Sequence, residues 1–176
     1  MYGKPRQLDT PDELHASALR ALMRRAHSVF EMRRALERRC QDPDLVRAEL
    51  DRLKQQNLLD DARYAREFAR THVAIRRQGR FRIAQELRRR GVPDRHIDGA
   101  LDEIFAVHDE AAIVRQRLER KLRTLRGPLD ERRIASLYRS LLRAGFSPDL
   151  IRKAINSMAR GSSLDPELPS VDDAET

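Results

Sequence analysis

The sequence has few of the residues from which disulfide frameworks, metal centres and catalytic sites are built. It contains one cysteine, Cys40, no tryptophan, and 5% aromatic residues in a chain of 176. One cysteine excludes an internal disulfide and is typical of a reducing compartment. The five histidines are scattered, and no metal-ligand spacing, phosphate-binding glycine loop or GxSxG is present. We therefore predict a binding protein and not an enzyme, with no cofactor and no metal.

Long hydrophobic runs are also missing. No apolar stretch approaches the ~18 residues that a membrane-spanning helix needs, and the first twelve residues have no apolar core of signal-peptide length. We expect a cytoplasmic protein with no membrane partner.

Basic residues are abundant and unevenly distributed. The formal charge is +8, and since residues 161–176 hold five acids and no base, residues 1–160 carry +13. Such an excess predicts affinity for polyanions such as nucleic acid or a nucleoprotein filament. Composition predicts an acidic disordered tail over 160–176, and Pro5 and Pro11 indicate a flexible leader over 1–13.

Three stretches of the chain, 31–53, 82–104 and 136–158, align with one another without a gap. Apolar residues recur ten, fourteen and seventeen positions after Leu36, Leu87 and Leu141. A period of about fifty residues predicts tandem helical units that stack on their neighbours. We predict an all-α protein, an elongated, curved array of three tandem three-helix repeats: copy one (14–57), copy two (58–106) and copy three (107–159).

The same helix start and stop signals appear in each copy. Ser28 with Glu31 forms a predicted capping box, and Asp42-Pro43 is a predicted helix start. Gly91 and Gly145 follow the second helices of copies two and three, at the position that Cys40 occupies in copy one. The adjacent acids Asp60-Asp61 open copy two, where capping and complementing the helix dipole are their expected tasks.

Several of these stretches resemble one protein family. Residues 25–36 resemble the R-x-x-S-x-x-E-L-x-x-K-L opening of the RecX family of recombinase regulators. Residues 59–65 are similar to its Y-L-D-D-x-R-F-A segment, residues 79–91 to its G-P-x-x-I-x-x-E-L-x-x-K-G, and residues 143–146 to its closing R-x-G-F. The resemblance implies an all-helical modulator that binds the RecA recombinase filament on single-stranded DNA. It also implies that the protein lies in the filament groove and restrains ATPase and strand exchange.

Basic faces are the candidate contact surfaces. The densest cluster runs from residue 76 to 90, with seven arginines and one acid, Glu86, near the apolar edge. The candidate residues for contact with DNA or with an acidic filament surface are Arg76, Arg77, Arg80, Arg82, Arg88 and Arg89 in copy two, Arg115, Arg117 and Lys121 in copy three, and Arg34 and Arg38 in copy one. The alternative is a solvated surface whose arginines pair with local acids.

Two functions fit these features. The first is a filament-binding regulator that bridges RecA protomers; the second is a direct DNA-binding protein made of tandem helix-turn-helix-like units. No self-complementary apolar stripe is evident, so we expect a monomer. Phe30 and Phe81 share a repeat position, and we expect them either to pack against the adjacent helix of the same copy or to be exposed and contact a partner.

Overall fold

The computed structural model describes residues 7–124 and 130–160, and within these ranges every regular element is an α-helix. The leader residues 1–6 and the predicted acidic tail from 161 lie outside the described residues. The helices are α1 (Pro11–Arg24), α2 (Val29–Glu37), α3 (Pro43–Gln55), α4 (Asp61–Ala74), α5 (Arg80–Arg89), α6 (Asp94–Val107), α7 (Glu110–Thr124), α8 (Glu131–Arg143) and α9 (Pro148–Arg160). The predicted all-α class with three helices in each copy is confirmed.

Side-chain caps start the helices at the positions that the sequence indicates. Ser28 accepts a hydrogen bond from the Glu31 amide while the Glu31 carboxylate accepts one from the Ser28 amide, which completes the predicted capping box. Asp42 caps α3 by accepting from the amides of Asp44 and Leu45. Each cap of this kind stabilises a helix by about 1 kcal/mol.

Glycines with positive φ end the second helices of copies two and three. Gly91 has φ +70° and Gly145 has φ +91°, as the aligned glycines predict. Cys40 differs, because its φ is not positive and its buried thiol lies 3.6 Å from the carbonyl oxygen of Asp42. The turn that ends α2 is therefore made without a left-handed residue.

The core of copy one is a contiguous cluster of aliphatic residues from its three helices. Its fully buried members include the repeat leucine Leu36 and the residues ten, fourteen and seventeen positions later, Val46, Leu50 and Leu53. Leu8 belongs to the same cluster with 3% of its surface exposed. This differs from the leader predicted over 1–13, because Leu8 is anchored in the core and α1 already begins at Pro11.

The described chain divides into two compact units. Of the described residues, unit one contains 7–68 and 86–100, and unit two contains 69–85, 101–124 and 130–160. Copy two is thereby shared: one part of it packs with copy one and the other part with copy three. The equivalent core positions are buried in both units, as at Leu87 and Ile97 in unit one and Leu141 and Ile151 in unit two.

Candidate functional site

The junction inside unit one is built at the start of α2. The Ser28 hydroxyl donates a hydrogen bond to the carbonyl oxygen of Arg90, which lies just before the helix-ending glycine of copy two. The next amide, that of Val29, donates to the carboxylate of Asp61 at 2.9 Å. The first turn of α2 therefore receives two acceptors from copy two.

The junction inside unit two repeats this arrangement at the start of α5. The Gly79 amide donates to the carbonyl oxygen of Ala144 at 2.8 Å, and the Arg80 amide donates to the carboxylate of Glu110 at 3.0 Å. Gly79 and Ala144 are the repeat equivalents of Ser28 and Arg90. A pair of hydrogen bonds at the start of a second helix thus joins copy one to part of copy two, and an equivalent pair joins the other part of copy two to copy three.

The acids that open copies two and three have separate tasks. Asp60 and Asp109 cap their own helices by accepting from the amides two residues later, at 2.8 and 2.9 Å. The next residues, Asp61 and Glu110, accept hydrogen bonds from backbone amides at the start of the second helix of the preceding copy. Burial raises the pKa of Asp61, although the hydrogen bond from Val29 opposes this. The expected capping role is confirmed for Asp60, whereas Asp61 accepts its hydrogen bond from the start of α2 in copy one.

A polar network surrounds the first junction. Glu31 receives two hydrogen bonds from the Arg25 guanidinium, at 2.9 and 3.3 Å, and one from the Tyr64 hydroxyl at 3.3 Å. Burial alone would raise the pKa of Glu31, but the hydrogen bonds from Arg25 and Ser28 bring it below its usual value. The Glu31 carboxylate is therefore used in hydrogen bonds at this junction.

Some predicted contact arginines of copy two have acidic partners. Arg80 pairs with Asp102 at 2.8 Å, and Arg88 pairs with Asp94 at 2.7 Å. Arg80 also lies over the ring of Phe105, with its guanidinium carbon 5.5 Å from the ring centre. Arg80 and Arg88 therefore follow the alternative in which surface arginines pair with local acids.

Other predicted arginines of copy two differ in their surroundings. Arg77 has φ +48° in the turn after α4 and hydrogen-bonds to Gln116, while Arg82 is half-buried with its backbone against Gly145. The side chains of Arg76 and Arg89 are exposed and have no ion-pair partner among the described residues. Arg76 and Arg89 are therefore the two most available cations of this set.

In copy three the predicted cations serve mainly as internal contacts. Arg115 pairs with Asp109 at 3.3 Å. Arg117 is half-buried and donates to the carbonyl oxygens of Arg76 and Arg77, at 2.9 and 3.2 Å, so it closes the C-terminal end of α4. Burial and the nearby charge of Arg120 lower its pKa. Lys121 hydrogen-bonds to Ser140, and burial followed by the charges of Arg117 and Arg143 lowers its pKa.

In copy one, Arg34 and Arg38 remain exposed. The Arg34 guanidinium lies 5.8 Å from the ring centre of Phe30. Phe30 itself lies against Gly91 of copy two, whereas Phe81 is 60% exposed. Ile75 is also exposed, at 77% of its surface. Phe30 is itself 41% exposed and its contact at Gly91 is with copy two, not with an adjacent helix of its own copy, while Phe81 is the more exposed of the two.

A second basic feature lies wholly inside unit one and was not among the predicted sites. A cleft of about 570 Å³ opens between α1 and the C-terminal end of α2. Its basic lining consists of Arg20, Arg24, Arg25, His27, Arg38 and Arg39. Of these six, sequence reasoning selected Arg38 alone, because the others come together only when α1 folds onto α2.

Comparison with known proteins bears on the identity of the chain. The family models described as RecX, second three-helix domain, and RecX, third three-helix domain, match residues 60–101 and 108–155. The regulatory protein RecX of Halorhodospira halophila is 40% identical over 139 residues, which cover 78% of this chain and 83% of that protein. This chain belongs to the RecX family. Its resemblance to that family, predicted from the four motifs, is confirmed.

Other RecX proteins match over most of their length. Regulatory protein RecX of Thermobifida fusca is 30% identical over 96% of this chain and 92% of its own. The Pseudomonas putida KT2440 protein of the same name is 36% identical over 85% of this chain and 93% of its own. The family is one of regulatory proteins, and the chain spans nearly all of what these members contain.

Solved structures of RecX proteins share the fold. The crystal structure of RecX from Lactobacillus salivarius superposes with a TM-score of 0.74 at 20% identity, covering 85% of this chain and 97% of that one. A second crystal structure of regulatory protein RecX gives a TM-score of 0.74 at 23% identity, with coverage of 83% and 73%.

Membrane spans and metal clusters are both missing from the part of the chain that the structure describes. Among these residues, no helix has the length and apolar composition required to cross a bilayer. No group of three or more histidine, cysteine, aspartate or glutamate side chains in the same ranges could hold a metal ion.

Proposed function

We propose that this RecX-family protein regulates the RecA recombinase by binding its filament on single-stranded DNA and inhibiting ATPase and strand exchange. The proposal rests on the following observation: the chain belongs to a family of regulatory proteins, and its first 160 residues carry a net charge of +13. A basic body suits a partner that is itself a polyanion or displays acidic residues. Bridging of neighbouring protomers in the filament groove would resist the movements that ATP turnover requires.

The contact residues that we propose first are Arg76 and Arg89. Both are exposed and have no acidic partner among the described residues, so binding breaks no existing ion pair. Arg88 and Arg115 are less suitable, because Asp94 and Asp109 already neutralise them. Arg34 and Arg38 are further candidates in copy one.

The test is ATP hydrolysis by RecA on single-stranded DNA while this protein is titrated in. We expect the wild-type protein to inhibit turnover, and R76A/R89A to require about tenfold more protein for half-inhibition, equivalent to about 1.4 kcal/mol. The matched control R88A/R115A removes the same charge from paired arginines and should shift half-inhibition less than about threefold.

Three outcomes have distinct meanings. Unchanged RecA turnover with wild-type protein overturns the proposed function. Equal losses in the two double variants overturn the assignment of Arg76 and Arg89 and leave the function standing. The third outcome supports the second candidate, a direct DNA-binding protein. In that outcome, inhibition across the variants follows their affinity for free DNA measured without RecA, and inhibition and affinity fall in parallel as the salt concentration rises.

A further inference from the structure

The cleft between α1 and α2 of copy one concentrates positive charge, and among the described residues only Arg25 of its arginines has an acidic partner, Glu31. Among its eleven lining residues there are five arginines and one histidine, and no aspartate or glutamate. Arg20, Arg24 and Arg38 have no ion-pair partner among the described residues. Several like charges in one concave space produce a positive potential that attracts an anion.

Two acids of copy one near α1 and α2 have partners of their own, and one of these partners, Arg25, belongs to the cleft. Glu31 is bound by Arg25 and Tyr64 at the junction. Glu49, buried at 5% exposure, lies 2.8 Å from the ring nitrogen of His15. Neither carboxylate lines the cleft. The charges of Arg20, Arg24 and Arg38 are therefore available to a ligand, whereas that of Arg25 is matched by Glu31.

Arg39 is held in place before any ligand arrives. Its Nη1 donates to the hydroxyl of Ser17 on α1 at 2.9 Å. Its Nε is buried and has no hydrogen-bond acceptor among the described residues. A guanidinium that is partly removed from water without a counter-charge raises the energy of the unbound protein. An anion in the cleft would offset this cost.

The size and the remaining lining indicate what kind of anion fits. A cleft of about 570 Å³ lies within the usual range of small-molecule sites and exceeds the needs of one phosphate group. Ala21, Ala35 and the buried Met32 give it an apolar floor. Burial lowers the pKa of His27, and the Arg25 charge adds to this effect, although the hydrogen bond to the Arg25 carbonyl opposes it. The lower pKa favours the neutral form of the ring.

We propose that this cleft binds the phosphodiester backbone of single-stranded nucleic acid, with an unstacked nucleotide on its floor. Arginine forks match phosphate oxygens, and bases in single strands stack on guanidinium planes and imidazole rings. A recessed cleft of this size admits one splayed nucleotide, whereas a duplex keeps its bases stacked inside. An acidic protein segment would meet the same arginines but would make no use of the apolar floor.

The test needs no recombinase, so it is independent of the proposed function. Fluorescence anisotropy of a labelled oligo(dT) should show binding by the full chain that R20A/R24A/R38A weakens by about tenfold or more. The slope of log affinity against log salt should fall by about 0.7 for each phosphate that the variant no longer binds. The control R33A/R52A/R66A removes the same charge from exposed positions of unit one outside the cleft and should weaken binding less than about threefold.

A measurement at one named atom separates the cleft from a general charge effect. The Nε–H resonance of Arg39 should shift on titration with oligo(dT) in the wild-type protein and in the control variant, and should not shift in the cleft variant. Thermal unfolding of both triple variants establishes that they fold. Equal weakening by both variants, or an Arg39 resonance that does not respond, overturns the proposal.

Further titrations distinguish the sources of the anion. Thymidine monophosphate should shift the Arg39 resonance at lower concentration than inorganic phosphate, because the base adds contacts with the floor. Equal affinities for the two would show that only the phosphate binds, which overturns the nucleotide assignment. A poly-glutamate peptide that binds these arginines more tightly than oligo(dT) would overturn it in favour of an acidic protein partner.

Discussion

The amide nitrogen of Gly79 lies 2.8 Å from the carbonyl oxygen of Ala144, and the two backbones approach so closely that no side chain fits between them. A Cβ on Gly79 would collide with the carbonyl oxygen of Gly145. A Cβ on Gly145 would collide with the backbone of Arg82. The second junction is therefore a direct contact of two main chains, which glycine alone permits.

This contact predicts a large effect of adding one methyl group. G79A and G145A should each lower the free energy of unfolding by about 2–4 kcal/mol, since each creates a clash and Gly145 also has φ +91°. Urea unfolding followed by circular dichroism measures this. The matched control is G99A on α6, where a Cβ meets nothing within 4 Å and should stabilise the protein by about 0.5–1 kcal/mol. A loss below about 0.5 kcal/mol for G79A would contradict the close approach.

Asp61, which accepts a hydrogen bond across the first junction, should stabilise the protein through that hydrogen bond. D61A removes the acceptor of the Val29 amide and should destabilise the protein by about 1–2 kcal/mol. D61N keeps a carbonyl oxygen at the same place and avoids burying a charge whose pKa is raised, so it should cost less than D61A. Chemical denaturation of the two variants checks the order. The reverse order would mean that the charge of Asp61, and not the hydrogen bond, stabilises α2.

Stability should depend on pH through Glu31. The folded-state pKa of this carboxyl is below its usual value of 4.5, so the unfolded chain takes up its proton first as the pH falls. The stabilisation is present above about pH 4.5 and is lost as the pH falls through the folded pKa. In E31Q that component is absent. Unfolding free energies measured from about pH 6 to about pH 3 should therefore fall less steeply for E31Q than for the wild-type protein, and parallel curves would contradict the assignment.

Arg117 should behave as a structural residue. R117A removes the donor for the carbonyl oxygens of Arg76 and Arg77 and should lower the free energy of unfolding by about 1–2 kcal/mol. R115A removes an exposed ion pair and should change it by less than about 0.5 kcal/mol. Thermal denaturation of the two variants provides the comparison. If R117A unfolds like the wild-type protein, Arg117 is available for a partner, as the sequence alone predicts.

The helices and their ends were predictable because their determinants are local. The capping box of Ser28 and Glu31 needs residues three apart, and the helix-ending turns at Gly91 and Gly145 need one residue that tolerates positive φ. Repetition of these signals at a fixed period identifies the copies. The buried Leu8 was missed because a lone leucine in a segment with two prolines carries no periodic pattern.

The candidate contact surface was less predictable, since it depends on partners distant in the sequence. Arg80 is neutralised by Asp102, 22 residues away, and Arg117 is bound to carbonyls about 40 residues away. A helical wheel places these side chains on a face but does not show which acids reach them. The cleft of copy one has the same origin, because Arg20 and Arg39 meet only when two helices pack.

The carbonyl oxygen of Arg39 is the copy-one equivalent of the two acceptors at the junctions, those of Arg90 and Ala144. It receives a hydrogen bond at 2.7 Å from the amide of Leu8, whose side chain is buried beside it. The segment around Leu8 thus occupies the docking position that an upstream copy would use. In copy one, the chain's own Leu8 therefore makes the contact with a backbone carbonyl that a preceding repeat makes at the two junctions.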